Sequence, residues 1–440
     1  MLSAMNASTP THDAAGASGT ESDWTCPFCS LLCDGLRVET APSAQGDRLR
    51  LIGSDCSKAV QGLTSFDDAS RGVTAQVDGR AATAELALDV AAERLAASRM
   101  PLFGGLATDV AGMRQLYRLA NLTGGILDHA RGDALMHALR ALQDRGQMFS
   151  TLAEIRNRAD LIVCIGTDVV TNFPEFFRRC EPVEGAGFER HVAFVGAPVP
   201  AAVGLDASRT QALAPPGDLF DAVAMLAALI DGRRIPSPDP GLVELAGAMC
   251  AARYCVVVWE PGRLPEQGAL VAEALLRLVM MLNRSTRAGA FILGGADGAQ
   301  TANAVTAWMS GLPLRTRVGP LGLDHDPLQY ATARLLDEGS VDLLLWVASF
   351  GPNLPPPASA LPRIVLGHPR LASVGAADRT IFIPVATPGI NSAGHLFRAD
   401  GVVTLPLRAV RDDGLPTVAE IARALEVRLD LRRLAAEGRP

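Results

Sequence analysis

The chain has 440 residues, room for two or three domains and a large core. Apolar residues make up 48% and charged residues 20%, which excludes a disordered chain, and the net charge of −7 excludes a general nucleic-acid binder, which needs a basic patch for phosphates. Among the 40 basic residues Lys58 is the single lysine against 39 arginines.

Residues 1–22 are rich in Ala, Ser, Thr and Gly and carry no Arg or Lys. They offer neither the basic start and apolar run of a secretory signal nor paired arginines, so a disordered tail is expected. No apolar stretch reaches the 18 residues of a membrane span. A cytoplasmic protein is expected, in which cysteines serve as thiols or metal ligands rather than disulfides.

A Cys-rich segment, 23–70, comes next. Cys26-x-x-Cys29-x-x-x-Cys33 followed by Cys56 places three thiols within eight residues and a fourth at a distance. Three local thiolates can wrap one face of a cubane and a distant one can close it, the arrangement a [4Fe–4S] cluster requires. Zinc, usually held by two separated pairs, is the rival reading, and unligated buried cysteines the third. Cys164 and Cys255 lie inside apolar runs, and Cys180 and Cys250 lack partners at ligand spacing, so these four read as core or incidental residues.

Beyond residue 70 the pattern alternates. Apolar runs at Pro101–Leu106, Leu161–Gly166, His191–Gly196, Tyr254–Trp259, Ala288–Gly294, Leu343–Ala348, Arg363–Gly367 and Thr380–Val385 are expected strands. Helical patterns lie between them, such as Val110–Leu122 closing at Gly124 and Asp218–Ile230 closing at Gly232, and Thr151 with Glu154 forms a capping box. Strands apolar throughout suit parallel sheets covered on both faces. The sequence around Arg158–Gly166 is repeated weakly at Ser340–Ala348, each copy followed by a short strand and a proline turn. The fold class is therefore α/β, a small Cys-rich cluster domain followed by two Rossmann-like, doubly wound lobes. One lobe is expected over 71–200 and 340–440, the other over 201–339. Gly104-Gly105, Gly185-Ala-Gly187 and Gly294-Gly295 could cradle phosphate, but none fits a dinucleotide or Walker pattern, and ordinary turns are the simpler reading.

Trp24-Thr-Cys26-Pro-Phe-Cys29-Ser-Leu-Leu-Cys33-Asp34-Gly35, followed by Cys56-Ser-Lys58, resembles the amino-terminal cluster domain of molybdenum/tungsten bis-pterin oxidoreductases. Within them the chain is most similar to the B subunit of formylmethanofuran dehydrogenase and its counterpart in the formyltransferase/hydrolase complex of methylotrophs. Asn157-Arg-Ala-Asp160 is similar to that family's middle segment, and Ala377-Asp378, Ile383-Pro384 and Gly394 to Arg398-Ala-Asp400-Gly401 to its carboxy-terminal pterin-binding signature. The resemblance implies that Cys26, Cys29, Cys33 and Cys56 hold the cluster and that Lys58, Gly394, Arg398 and Asp400 line a pterin-type pocket. It also implies a hetero-oligomer with A, C and D subunits, of which A is amidohydrolase-like and D a formyltransferase.

The departures point away from redox chemistry. The stretch Leu127–His137, where the family's metal-binding thiolate is expected, has neither cysteine nor serine; Asp133 is the remaining candidate ligand, and a harder donor. The Glu and Thr/Ser usual in the carboxy-terminal signature read as Asn391 and His395, an expected Arg-Gly as Gly294-Gly295, and two Asp-Pro turns as Ala197-Pro198 and His368-Pro369. The W/Mo bis-pterin is therefore expected to be absent. No His and carboxylate constellation for activating water occurs either, since His129 and His137 lie eight apart and the others are scattered. The expected role is a mainly structural subunit in formyl-carrier-to-formate metabolism. The alternatives are an active catalytic subunit holding W/Mo and an Fe–S electron-transfer subunit.

Overall fold

A computed structural model describes residues 20–43, 46–66, 71–201, 204–214, 217–320 and 322–437. The expected tail lies outside the described residues as far as residue 19; its last three residues, Thr20–Ser22, belong to the first strand.

That strand, Thr20–Trp24, pairs antiparallel with Leu36–Ser43, which pairs with Gly46–Ile52. The three strands and the helix Ser57–Thr64 close over Trp24, Val38, Leu51, Leu63 and Phe66. This unit is small, and its core is completed by Ile390 from the far end of the chain. Trp24 is fully buried and its indole N–H donates to the carbonyl of Gly389 at 2.7 Å. The Cys-rich segment is thus fastened to the carboxy-terminal region.

All eight expected core strands form, and they sort into two sheets. The larger sheet has five parallel strands at its centre, in the order Ile126–Leu127, Pro101–Ala107, Leu343–Ala348, Arg363–Gly367 and Thr380–Pro384. Antiparallel strands extend both edges, Thr316–Gly319 with Gly322–His325 on one side and Ala75–Val77 with Arg80–Ala82 on the other. The smaller sheet is wholly parallel, ordered Thr210–Leu213, His191–Val195, Leu161–Ile165, Cys255–Trp259 and Ala288–Ile292. Each sheet has an apolar cluster on both faces, the doubly wound arrangement that continuous apolar runs require.

The sheets divide the chain differently from the expected lobes. Leu161–Ile165 and His191–Val195, read as first-lobe strands, lie in the middle of the smaller sheet. Thr316–Gly319 and Gly322–His325, strands not expected from the sequence that fall within the range of the expected second lobe, edge the larger one. An apolar run declares a buried strand, but which neighbour it pairs with is a tertiary choice that the run does not encode.

The internal repeat has a physical basis. In both copies an aspartate precedes a central strand and accepts hydrogen bonds from the backbone just ahead of the adjacent parallel strand. Asp160 receives the amides of Arg253 and Tyr254 at 2.8 and 2.9 Å, and Asp342 those of Arg99 and Met100 at 2.8 and 3.2 Å. Each carboxylate fixes the register at which its neighbour enters the sheet.

Helix ends follow the sequence signals. Val110–Thr123 starts at Asp109, whose carboxylate accepts from the Gly112 amide, and stops at Gly124 with φ +72°. The capping box of Thr151 and Glu154 is complete, with both reciprocal bonds formed. Among the described residues no helix is long and apolar enough to cross a membrane.

Candidate functional site

In an open parallel sheet the strand order reverses at one point, and the crevice beyond the carboxyl ends of the strands there is where ligands bind. In the larger sheet the reversal lies between Pro101–Ala107 and Leu343–Ala348, in the smaller between Leu161–Ile165 and Cys255–Trp259. Residues at both points face one cavity of about 810 Å³: Ala107, Ala348 and Phe350 from the larger sheet, Glu260 and Pro261 from the smaller. The Cys-rich unit closes a further side with Phe28, Cys29, Lys58 and Gln61.

The loop that carries the first three cysteines is held by both lobes. Ser30 donates its hydroxyl to the carbonyl of Gly294, and its own carbonyl accepts from Ala399 N at 2.8 Å. Within the loop, Cys26 N reaches Cys33 O at 2.9 Å. Cys56 caps the helix Ser57–Thr64, and the amides of Ala59 and Lys58 face its thiol. All four cysteines are buried and none is in a disulfide.

Burial is the main cause of a strong upward push on their acidities, and their proximity adds to it. Cys26 is raised well above the ordinary thiol value by burial and then by Cys29. Cys29 goes to about 12 by burial and then Cys33, against the opposing pull of Lys58. Cys33 goes to about 11 by burial, moderated by Arg179. Cys56 is raised too. The spacing therefore brings together four buried thiols whose thiolates would repel one another. Among the described residues no three His, Cys, Asp or Glu side chains converge tightly enough for one ion.

Lys58 is half-buried between Cys29 and the cavity, and no acidic side chain pairs with it among the described residues. Asp400 lines the cavity with its carboxylate fully buried. It is bound by Arg398 Nη2 at 2.7 Å and Nε at 3.0 Å, and by the Leu152 amide at 3.4 Å, which the capping box aims at it. Gly394 begins the short strand Gly394–Phe397, and a Cβ there would stand 2.8 Å from the Asp109 carboxylate. Gly394 and Arg398 themselves do not line the cavity. Asp133 does not line it either; its largely exposed carboxylate pairs with the buried Arg315.

Of the glycine turns, Gly294-Gly295 lies in the cavity wall. Gly295 has φ +79° and a Cβ would meet Gln300 at 2.6 Å, so helix packing accounts for that glycine. Gly105, at φ +73°, lies against Val347 of the neighbouring strand, and Gly185 and Gly187 face open space. Asn391 is buried, accepting from Thr387 N and donating to Asp413, and His395 is exposed. His368 is buried, and its pKa is lowered to about 3 by burial and then by Arg370. Cys164, Cys180 and Cys255 are buried in apolar clusters, and Cys250 is exposed.

The structure adds residues that the sequence reading missed. Glu260 follows the strand Cys255–Trp259 and is nearly buried; burial raises its carboxyl above the ordinary value. It accepts from the Thr167 hydroxyl and from Asn172 Nδ2 at 2.6 Å, with Arg263 at 3.5 Å. Arg131 and Asp297, both in the cavity wall, pair at 2.6 Å. The available signal was positional, a polar residue directly after a predicted parallel strand. As a result Glu260, Asp297 and Asp400, the carboxylates of the wall, each have partners within the chain.

No protein-family model matches the chain. It is 32% identical to the B subunit of the formyltransferase/hydrolase complex Fhc of Methylorubrum extorquens over 382 residues, spanning 83% of this chain and 99% of that protein. The B subunit of the tungsten-containing formylmethanofuran dehydrogenase 2 of Methanocaldococcus jannaschii is 25% identical over 423 residues, spanning 91% and 96%. Among solved structures, the crystal structure of the complex FhcABCD from Methylorubrum extorquens with methylofuran contains a chain that matches with a TM-score of 0.72 and 31% identity, covering 82% of this chain and all of that one. The sheets, the position of the Cys-rich unit and these matches agree, and the chain belongs to the family of B subunits of formyltransferase/hydrolase complexes, which is related to the B subunit of formylmethanofuran dehydrogenase.

Proposed function

We propose that the chain is the mainly structural B subunit of a cytoplasmic formyltransferase/hydrolase complex that also holds A, C and D subunits. The complex would move a formyl group between carriers, one of them furan-type, and release formate. The family match supports the place in the complex. One observation carries the non-redox role: the cavity wall offers neither a cysteine outside the four-cysteine set nor an unpaired carboxylate for a W/Mo bis-pterin. Cys29 is its one thiol and belongs to the four-cysteine set, while Glu260, Asp297 and Asp400 are bound to Thr167 and Asn172, to Arg131 and to Arg398. Asp133, the candidate replacement ligand, lies outside the wall and pairs with Arg315. These residues do not fit the metal-pterin. The hydrolytic chemistry then belongs to the amidohydrolase-like A subunit.

Cys26, Cys29, Cys33 and Cys56 do fit a [4Fe–4S] cluster, as four buried thiols with no other partner chemistry. A bound cluster would staple the Cys-rich unit and store one electron. Metal analysis of the purified complex tests both halves. The expected result is about four iron atoms per copy of this chain, with neither W nor Mo and no extractable pterin. Stoichiometric W or Mo with pterin would overturn the non-redox reading.

A further inference from the structure

We propose that Arg179 is the residue through which the lobe of the smaller sheet sets the charge at the four-cysteine site, with Asp34 as its counterweight. The proposal rests on the reading that these cysteines hold a [4Fe–4S] cluster.

Asp34 directly follows Cys33, and its Oδ1 accepts from Arg179 Nη1 at 2.6 Å. Arg179 lies on the helix Phe176–Cys180, whose Phe176, Phe177 and Cys180 pack in one apolar cluster with Cys29, Leu31 and Cys33. The guanidinium is therefore fixed beside the loop by packing on one side and an ion pair on the other. Its neighbours Glu175 and Arg178 bind each other and cancel. The remaining pair is unequal in exposure. The Asp34 side chain is 45% exposed and the Arg179 side chain 24%, so water screens the carboxylate more than the cation. The balance at Cys33 is positive, in keeping with Arg179 being the largest charge that favours the Cys33 thiolate. Lys58 acts in the same sense on Cys29, from the cavity side.

A cluster that takes up one electron becomes more negative by one charge, and nearby charge is one of the levers that set its potential. A cation beside Cys33 favours the reduced form and raises the potential; an anion does the reverse. Arg179→Gln and Asp34→Asn both break the same ion pair but change the charge in opposite senses. A mere latch would respond to both in the same way.

The test is a redox titration of the purified complex, with dithionite as electron donor through mediator dyes and the reduced cluster read by EPR. Iron and acid-labile sulfide are measured on the same samples. Arg179→Gln is expected to lower the midpoint and Asp34→Asn to raise it. Each shift should approach a tenfold change in the oxidised-to-reduced ratio at fixed potential, about 59 mV for one electron. Arg179→Lys, which keeps the charge, should stay near wild type. Shifts in the same direction, or none in either variant with iron retained, overturn the proposal and leave the cluster reading standing. Wild-type complex without iron and sulfide overturns the cluster reading and this proposal together. If Arg179→Gln does not assemble, Asp34→Asn still decides, because an unmoved or lowered midpoint contradicts the assigned sign.

Discussion

Asp128 and Asp133 bind the same guanidinium from opposite environments, and replacing each in turn separates a structural carboxylate from a metal ligand. Arg315 is 3% exposed. Its Nε donates to Asp128, itself buried, at 3.2 Å, and its Nη2 to the exposed Asp133. Asp128 also accepts from Thr332 N and Oγ1, both at 2.8 Å, and from His129 N at 3.0 Å. Asp128→Ala removes the acceptor for all of these and leaves a buried cation half-paired, a loss of about 3–5 kcal/mol. Asp133→Ala removes a solvent-screened partner and should cost about 0–1 kcal/mol, because Arg315 keeps Asp128. The gap of about 3 kcal/mol is roughly a hundredfold in a local opening equilibrium. Native-state hydrogen exchange of the helix Gly132–Arg145 and the strand Thr316–Gly319 in the assembled complex reads this directly. Equal losses from the two substitutions would refute the assignment. So would an Asp133→Ala complex that loses W or Mo present in the wild type, which would make Asp133 a ligand.

Three further outcomes follow from the same geometry. Cys29→Ser should reduce both complex yield and iron content, since metal binding and folding are coupled; wild-type yield and unchanged iron would count against a cluster. In metal-free complex the thiols of Cys29 and Cys33, raised from 9.0 to about 12 and about 11, contribute stability that is complete below pH 9 and is lost as pH rises towards those values. Ultraviolet thiolate absorbance followed against pH checks this, and ionisation of all four thiols near pH 9 would contradict the burial argument. Asp160→Ala and Asp342→Ala should each cost about 1.5 kcal/mol, the low end for amides bound to a charged acceptor that is partly exposed. Hydrogen exchange should localise the losses to Cys255–Trp259 and Pro101–Ala107 respectively, and a loss spread evenly over both sheets would contradict the shared role.

The legible part of the fold was its buried part. Leu343–Ala348 and Arg363–Gly367 form with the bounds their apolar runs suggest, because a strand covered on both faces has no polar position to blur it. Ala75–Val77, Arg80–Ala82 and Thr210–Leu213 were missed because they are short and partly exposed, and they exist through the neighbour they pair with. Which sheet a strand joins is likewise set by the neighbour it pairs with. At the site, the cysteine spacing pointed to a real gathering of thiols, since ligands close in sequence need little help from the fold to meet. Glu260 meets Thr167 and Asn172 across some 90 residues, and only the order of strands brings them together.

The two halves of the bis-pterin enzymes' apparatus stand in opposite electrostatic states here. In the cavity half the carboxylates are satisfied. Arg398 and Asp400 are buried against each other, and freeing either for a charged ligand would leave the other uncompensated, a penalty of about 3–5 kcal/mol before any new contact forms. The three carboxylates of the cavity wall are answered from within the chain. The cysteine half is unsatisfied. Burial raises all four thiols, and neighbouring thiolates would repel one another, so the chain gathers donors that gain nothing from one another. The asymmetry is what a protein would show if it had given up the substrate chemistry and still depended on the cluster to fasten its amino-terminal unit.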